Sequence, residues 1–233
     1  MDIHTLVEIP FELNVDKLMK EAHVRPGSSY AAEFVALCEQ AHGMGRPKAV
    51  YRVAYIDGRD GDCVTLDGVT FTSRVLAMNL AAVERAFAFV VTCGMELDSY
   101  IIESGDLLKK FWWDAIKENV LRCAYDYLFD YLARTYRLEK IATMHPGSAD
   151  LEVWPIEQQV ELFCLLGNGP SSIGVKLSES CLMSPIKTIS GLVFATQTGF
   201  QSCQVCQREN CPGRRASFDE ALWKEVHQPV NRP

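Results

Sequence analysis

The chain has 233 residues, of which 48% are hydrophobic and 23% are charged, and this balance is ordinary for a folded protein with a sizeable core. Its net charge of -7 argues against a nonspecific nucleic-acid binder, because such a protein needs a basic surface to release phosphate counterions. No apolar stretch reaches the roughly 18–20 residues that cross a bilayer, so we expect no membrane association. Proteins or small molecules are the expected partners.

The residues after Met1 lack the basic start and apolar run of a secretory signal, so a cytoplasmic location is expected. Disulfides are rare in that reducing compartment. The nine cysteines therefore predict free thiols or metal ligands rather than a disulfide framework.

Hydrophobic periodicity and turn residues predict alternating elements in the first part of the chain. They are a strand over 6–13, a helix over 15–22 entered through Asn14 or Asp16, a helix from Ser28 or Ser29 to about 42, and a strand over 49–56 followed by turns at Asp57-Gly58 and Asp67-Gly68. Because the turns connect short alternating runs, we expect a small antiparallel meander there.

The middle of the chain contains the strongest signals. Residues 86–93 are continuously apolar and predict a strand buried on both faces. Residues 107–137 contain no Gly or Pro and predict one long helix, or two in line. Residues 138–155 predict a loop of functional length. A helix from Pro155 to Leu166 and two strands over 173–177 and 188–195 are expected to follow.

This order of helices and strands predicts an α+β protein, or a mixed α/β one, with a central, mostly antiparallel sheet and flanking helices. Three parts are expected: an N-terminal strand–helix segment over 1–48, a core over 49–200 and a cysteine-rich, metal-binding tail over 201–233.

The tail contains three cysteines at a spacing typical of metal sites. Cys203-x-x-Cys206 allows two thiolates to reach one metal ion from a tight turn, and Cys211 can add a third. Cys181 is the preferred fourth ligand, with Asp219 and His227 as weaker candidates. Zinc would make this a structural site, whereas an iron–sulfur cluster would make it an electron carrier, and the spacing leaves both open.

Three arginines near these thiols, Arg208, Arg214 and Arg215, would offset the negative charge of thiolates. Two other interpretations stay open. The cysteines could be reduced surface thiols without a metal, or a dithiol pair like that of thioredoxin, although the strand-to-helix context of that motif is absent.

Two stretches carry a family resemblance. Residues 177–185 (Leu-Ser-Glu-Ser-Cys-Leu-Met-Ser-Pro) and 189–194 (Ile-Ser-Gly-Leu-Val-Phe) resemble the reactivation domain of cobalamin-dependent methionine synthase, which has Thr-Glu-Ser, an apolar residue, Met, a Pro and Val-Ser-Gly there. Residues 144–148 (Met-His-Pro-Gly-Ser) resemble its Pro-Gly-Tyr loop. Trp154-Pro155-Ile156-Glu157 then leads into a helix as in short free-standing relatives, which also look similar in their cysteine-rich tail. The resemblance covers roughly 50–215.

The resemblance implies a methyltransferase-like role in repair. In that family a corrinoid that has been oxidised to inactive cobalt(II) is restored by one electron and a methyl group from S-adenosylmethionine. A free-standing copy would act on a separate corrinoid methyl-carrier protein, with an electron donor such as ferredoxin or flavodoxin. The implied binding residues are Asp126 (less favourably Asp130), His145, Pro146, Gly147, Ser148, Glu179, Ser190 and Gly191.

The chain departs from the family pattern at three positions. Thr143 replaces the Arg that precedes the loop Gly by four residues, Ser148 replaces the Tyr after it, and Val193 replaces a further Tyr. Loss of that Arg removes a charge-assisted pair with the ligand carboxylate, which predicts weakened binding of S-adenosylmethionine. A non-catalytic docking module for a corrinoid protein, with a structural zinc or iron–sulfur site, is the alternative function.

Overall fold

The computed structural model describes residues 2–148, 153–197, 199–211 and 213–227. The strands are β1 (Ile3–Leu6), β2 (Lys48–Asp60), β3 (Cys63–Leu66), β4 (Val69–Thr72), β5 (Arg85–Thr92), β6 (Ile141–Met144), β7 (Lys176–Leu177), β8 (Met183–Ser184) and β9 (Thr188–Ala195). The α-helices are α1 (Val15–Glu21), α2 (Ser29–Met44), α3 (Arg74–Asn79), α4 (Met95–Asp98), α5 (Leu107–Tyr136), α6 (Gln159–Leu166), α7 (Gly169–Ser172) and α8 (Glu220–His227).

Seven strands form one antiparallel sheet. Six of these strands lie side by side in the order β4-β3-β2-β5-β9-β6, and β1 pairs with the first part of β2. Strands β7 and β8 make a separate hairpin. This is the α+β fold with a mostly antiparallel central sheet and flanking helices that the sequence predicts. It leaves β6 at one edge of the sheet.

Helices cover both faces of the sheet because β5 and β9 carry buried side chains on both sides. One face packs against α1, α2 and α5 through a cluster that includes Phe34, Phe89 and Leu128. The other face packs against α3 and α6 through a cluster that includes Leu76 and Leu162. Among the residues described, no helix is both long enough and apolar enough to span a membrane.

The long apolar-patterned elements were predicted correctly, including α5, whose first turn is capped by Asp106 accepting from the Lys109 backbone N–H at 2.9 Å. Asn14 caps α1 as expected, at 3.0 Å from the Lys17 nitrogen. The Asp67-Gly68 turn is also confirmed, and both residues have positive φ, 45° and 82°. Such a turn matches the twist of a tight hairpin.

Other predicted boundaries are wrong. The first strand is Ile3–Leu6 rather than residues 6–13, and Pro10 lacks the N–H that a strand needs. Asp57-Gly58 is not a turn, because β2 continues past it with a register shift between Ile56 and Gly58. Residues 173–177 contribute only the two-residue strand β7.

Several elements were not predicted, and two of them bear on the site. Strand β6 lies inside the predicted loop over 138–155, and α8 lies in the tail. The tail is anchored by Phe200, Val205 and Val226, which are buried against the α6 side of the sheet. The described part of the tail therefore packs on this face of the sheet.

The approach of β6 to β9 requires a glycine at position 191. A Cβ atom built there would overlap the Met144 carbonyl oxygen and lie 2.8 Å from the His145 Nδ1 atom. The nearest obstacle is backbone of a paired strand, which cannot move without breaking the pairing. Gly191 therefore sets the spacing between the edge strand and the sheet.

We predict that Gly191→Ala lowers the free energy of unfolding by about 1–3 kcal/mol, because the new methyl group forces β6 away from β9. Gly43→Ala is the matched control: it lies in α2, and an added Cβ there meets nothing within 4 Å. That control should stabilise the protein by up to about 1 kcal/mol. Chemical denaturation measures both, and equal effects would contradict the steric argument.

Candidate functional site

The candidate site lies where β6 meets the middle of α5 and the tail. Alternation along β6 places Thr143 and His145 on the α5 side of the sheet. The His145 Nδ1 atom is 2.8 Å from the Ser190 carbonyl oxygen, and its Nε2 atom is 3.3 Å from the Tyr125 hydroxyl. The Phe89 ring packs edge-on at 5.9 Å. The imidazole is thus fixed from three directions.

These contacts define the tautomer of His145. A backbone carbonyl can only accept, so Nδ1 carries the proton and donates to Ser190. In the neutral ring Nε2 then has a lone pair, which accepts from the Tyr125 hydroxyl. The histidine is therefore held as a neutral hydrogen-bonding group rather than as a cation.

The surroundings also oppose protonation. Burial of the ring lowers the pKa of His145 from 6.5 to about 4, and the positive charge of Arg215 acts in the same direction, while the bond to Ser190 opposes it. Although the residue as a whole is half-buried, its ring is enclosed by the aromatic neighbours.

The His-Pro-Gly-Ser loop is a tight turn that fixes the His145 backbone. The Ser148 hydroxyl donates to the His145 carbonyl at 3.0 Å, and the Gly147 N–H donates to the Trp154 carbonyl at 2.8 Å. Gly147 has a φ of 76°, which favours glycine. Pro146 is buried behind the turn.

The tail also reaches His145, and the Arg214 side chain holds this part of the tail as a closed loop. The Arg214 guanidinium donates to four backbone carbonyls, those of Cys203, Cys206, Arg208 and Ala216. The bonds to Cys203 and Cys206 are both 3.1 Å long. This one cation therefore organises the backbone around the cysteines.

Two neighbouring cavities result. The first, which we name the helix-side cavity, has a volume of about 440 Å³ and is lined by residues that include Tyr125, Asp126, Phe129, Asp130 and Ile141. The second, the tail cavity, has a volume of about 230 Å³ and is lined by residues that include His145, Ser148, Cys203, Cys206, Arg208 and Cys211. Thr143, Gln201 and Arg215 line both, so the two cavities adjoin.

Most of the predicted binding residues come together here. Asp126, Asp130, His145 and Ser148 line the cavities, and Pro146, Gly147, Ser190 and Gly191 support His145 from behind. Glu179 does not: it is exposed on the turn of the β7–β8 hairpin and lines neither cavity. The Ser190 hydroxyl donates at 2.7 Å to Gln159, away from the cavities.

The structure gathers the three tail cysteines but not Cys181. Its Sγ atom lies 4.0 Å from the Glu157 carbonyl oxygen, and it does not line the tail cavity. Asp219 accepts from the Leu222 N–H and so caps α8, and His227 stacks on Trp223. Within the ranges that the structure describes, no three His, Cys, Asp or Glu side chains are arranged to hold a metal ion. The residues as placed therefore do not fit a bound metal.

Sequence reasoning missed the contributions of Tyr125, Gln201 and Arg215 to the site. The spacing of Tyr125 on α5 is typical of core packing. Its role in holding the His145 ring is visible only from the contact between the two side chains. Arg215 was expected to offset thiolate charge, but its guanidinium lies 5.6 Å above the Tyr125 ring. No local pattern could have indicated these contacts, because each joins distant parts of the chain.

We predict that His145 makes stability depend on pH between about 6.5 and 4. Because its pKa is lower in the folded state, the unfolded chain binds more protons in this range, so stability falls as the pH decreases through it. His145→Gln keeps a donor but cannot titrate, and its stability should fall less over the same range. Thermal unfolding across this pH range measures the difference, and parallel curves would contradict the assignment.

Comparison with known proteins is informative at the level of solved structures. Neither a protein-family model nor a curated protein matches the sequence significantly. Among solved structures, the crystal structure of the MetH reactivation domain bound to AdoHcy matches with a TM-score of 0.55 and 15% sequence identity, over 84% of this chain and 79% of that one. The protein therefore has the fold of the MetH reactivation domain, as the sequence resemblance implied.

Proposed function

We propose that the protein reactivates a corrinoid carrier protein by reductive methylation, with S-adenosylmethionine as the methyl donor. The observation that carries this proposal is the shared fold with a domain that was solved with AdoHcy, which is S-adenosylmethionine without its methyl group. The cavities beside the His-Pro-Gly loop support it, because that loop resembles the Pro-Gly-Tyr loop of the same family.

The proposed reaction balances with one electron. A donor protein such as ferredoxin or flavodoxin reduces the partner's cobalt(II) to cobalt(I), which attacks the sulfonium methyl group. The carbon–sulfur bond breaks, its electron pair stays on sulfur, and the products are AdoHcy and methylated cobalt. The corrinoid supplies the nucleophile, so this chain contributes binding and orientation.

The helix-side cavity suits such a donor in size and charge. Its volume of about 440 Å³ lies within the range of small-molecule sites. The carboxylates of Asp126 and Asp130 line it and would attract a ligand that carries positive charge, as S-adenosylmethionine does. Held neutral, His145 adds no positive charge to repel that group.

Metal binding by the tail stays a separate prediction. Cys203, Cys206 and Cys211 share one cavity, but a site would require the tail loop to rearrange and a fourth ligand other than Cys181. Elemental analysis and visible absorption of anaerobically purified protein would distinguish zinc, an iron–sulfur cluster and free thiols. The proposed methyl transfer uses no step at these cysteines.

The proposed donor site can be tested at Gly147. An alanine there would be strained at a φ of 76° and would lie 3.0 Å from Ile156, so the loop beside His145 must shift. Binding of S-adenosylmethionine should weaken by about 10-fold or more in Gly147→Ala, measured by calorimetry. Gly27→Ala is the matched control, since its φ is also 76° and the space around it is open.

Activity is tested with a corrinoid protein in the cobalt(II) state, a reductant and S-adenosylmethionine. Methylated corrinoid and AdoHcy should form in equal amounts, as followed by visible absorption and mass spectrometry. Binding of the corrinoid protein without any binding of S-adenosylmethionine would favour the docking module instead. Failure to bind either partner would contradict both functions.

A further inference from the structure

Arg215 lines the helix-side cavity, and no carboxylate of the described residues pairs with its positive charge. Its backbone N–H donates to the Cys203 Sγ atom at 3.4 Å, and its guanidinium lies 5.6 Å above the Tyr125 ring. These contacts hold the group in place without using the hydrogen-bond donors of the guanidinium. In the part of the chain that the structure describes, no acidic side chain forms a salt bridge with Arg215.

Two carboxylates lie across the same cavity. Asp126 and Asp130 are four residues apart on α5, so their side chains share one face of the helix and both line the cavity. Both are exposed, and neither is in a salt bridge with a described residue. Like charges at this spacing destabilise a helix slightly, and a bound cation would remove that cost.

The cavity thus offers separate positive and negative groups above an apolar floor that includes Phe129 and Ile141. A ligand group that carries both charges matches this arrangement, and an α-amino acid group is the common example. A plain phosphate or carboxylate would meet the two aspartates with the wrong sign. A simple cation would meet Arg215 with the wrong sign.

We propose that the helix-side cavity binds the α-amino acid end of its ligand as a zwitterion, with Arg215 holding the carboxylate and the aspartates holding the ammonium group. This inference rests on the proposed function, because S-adenosylmethionine ends in such a group. The guanidinium comes from the tail. Thr143, which lines the same cavity from β6, has no charge to contribute.

The test compares ligands with and without the amino acid end. The wild-type protein should bind AdoHcy at least about 10-fold more tightly than 5′-methylthioadenosine, which lacks that end. Arg215→Ala should bring the two affinities close together, and Arg215→Lys, which keeps the charge without the two-pronged geometry, should lie between. Using the ratio within one variant removes any general effect of the substitution on folding.

Arg208→Ala is the matched control, because Arg208 lines the tail cavity but not the helix-side cavity. It should leave the ratio of the two affinities unchanged. Asp126→Asn and Asp130→Asn should each reduce the ratio, because each removes a partner of the ammonium group. Free methionine is the last probe, since it carries the zwitterion without adenosine.

Each outcome separates the two proposals. A ratio that stays the same in Arg215→Ala overturns the zwitterion site and leaves the donor proposal standing. Binding of methionine that depends on Arg215, without binding of AdoHcy, supports the zwitterion site and overturns the donor. If none of the three ligands binds the wild-type protein at millimolar concentration, both proposals fail.

Discussion

The close contact between the edge strand β6 and β9 is the constraint on which the candidate site depends. Gly191 allows it, since any larger residue would meet the Met144 carbonyl and the His145 ring. Because His145 is fixed on this edge by Ser190, its position follows from the sheet register and not from the loop alone. The loop, the tail and α5 then meet around one imidazole.

Electrostatics divides the site into parts with different tasks. The Tyr125–His145–Ser190 chain is neutral and fully hydrogen-bonded, so it costs little to enclose. The charges lie farther out, on Asp126 and on Arg215, where solvent reaches them and a ligand can replace that solvent. Fixed neutral groups beside solvent-accessible charges are typical of sites that bind and orient a charged small molecule.

The sequence predicted the long elements and the fold class because periodicity over many residues reports burial directly, as for α5 and β9. It failed for β6, whose four residues are too few for a periodic signal and become a strand only by pairing with β9. Candidate residues near the His-Pro-Gly loop were found through the family resemblance. Glu179 and Cys181 belong to the same resemblance and lie elsewhere, since the hairpin that carries them turns away from the cavities.

The four carbonyl bonds of Arg214 have a consequence for how this region can vary. The Arg214 guanidinium must reach all four carbonyls at once. The number of residues between Cys203 and Cys206 therefore cannot change freely without breaking one of these bonds. A lysine ammonium group lacks the planar set of donors that binds these carbonyls. An Arg-to-Lys substitution, which is mild at many surface positions, would therefore open the loop here. Grafting this segment onto another sheet edge would require carrying Arg214 along with the cysteines.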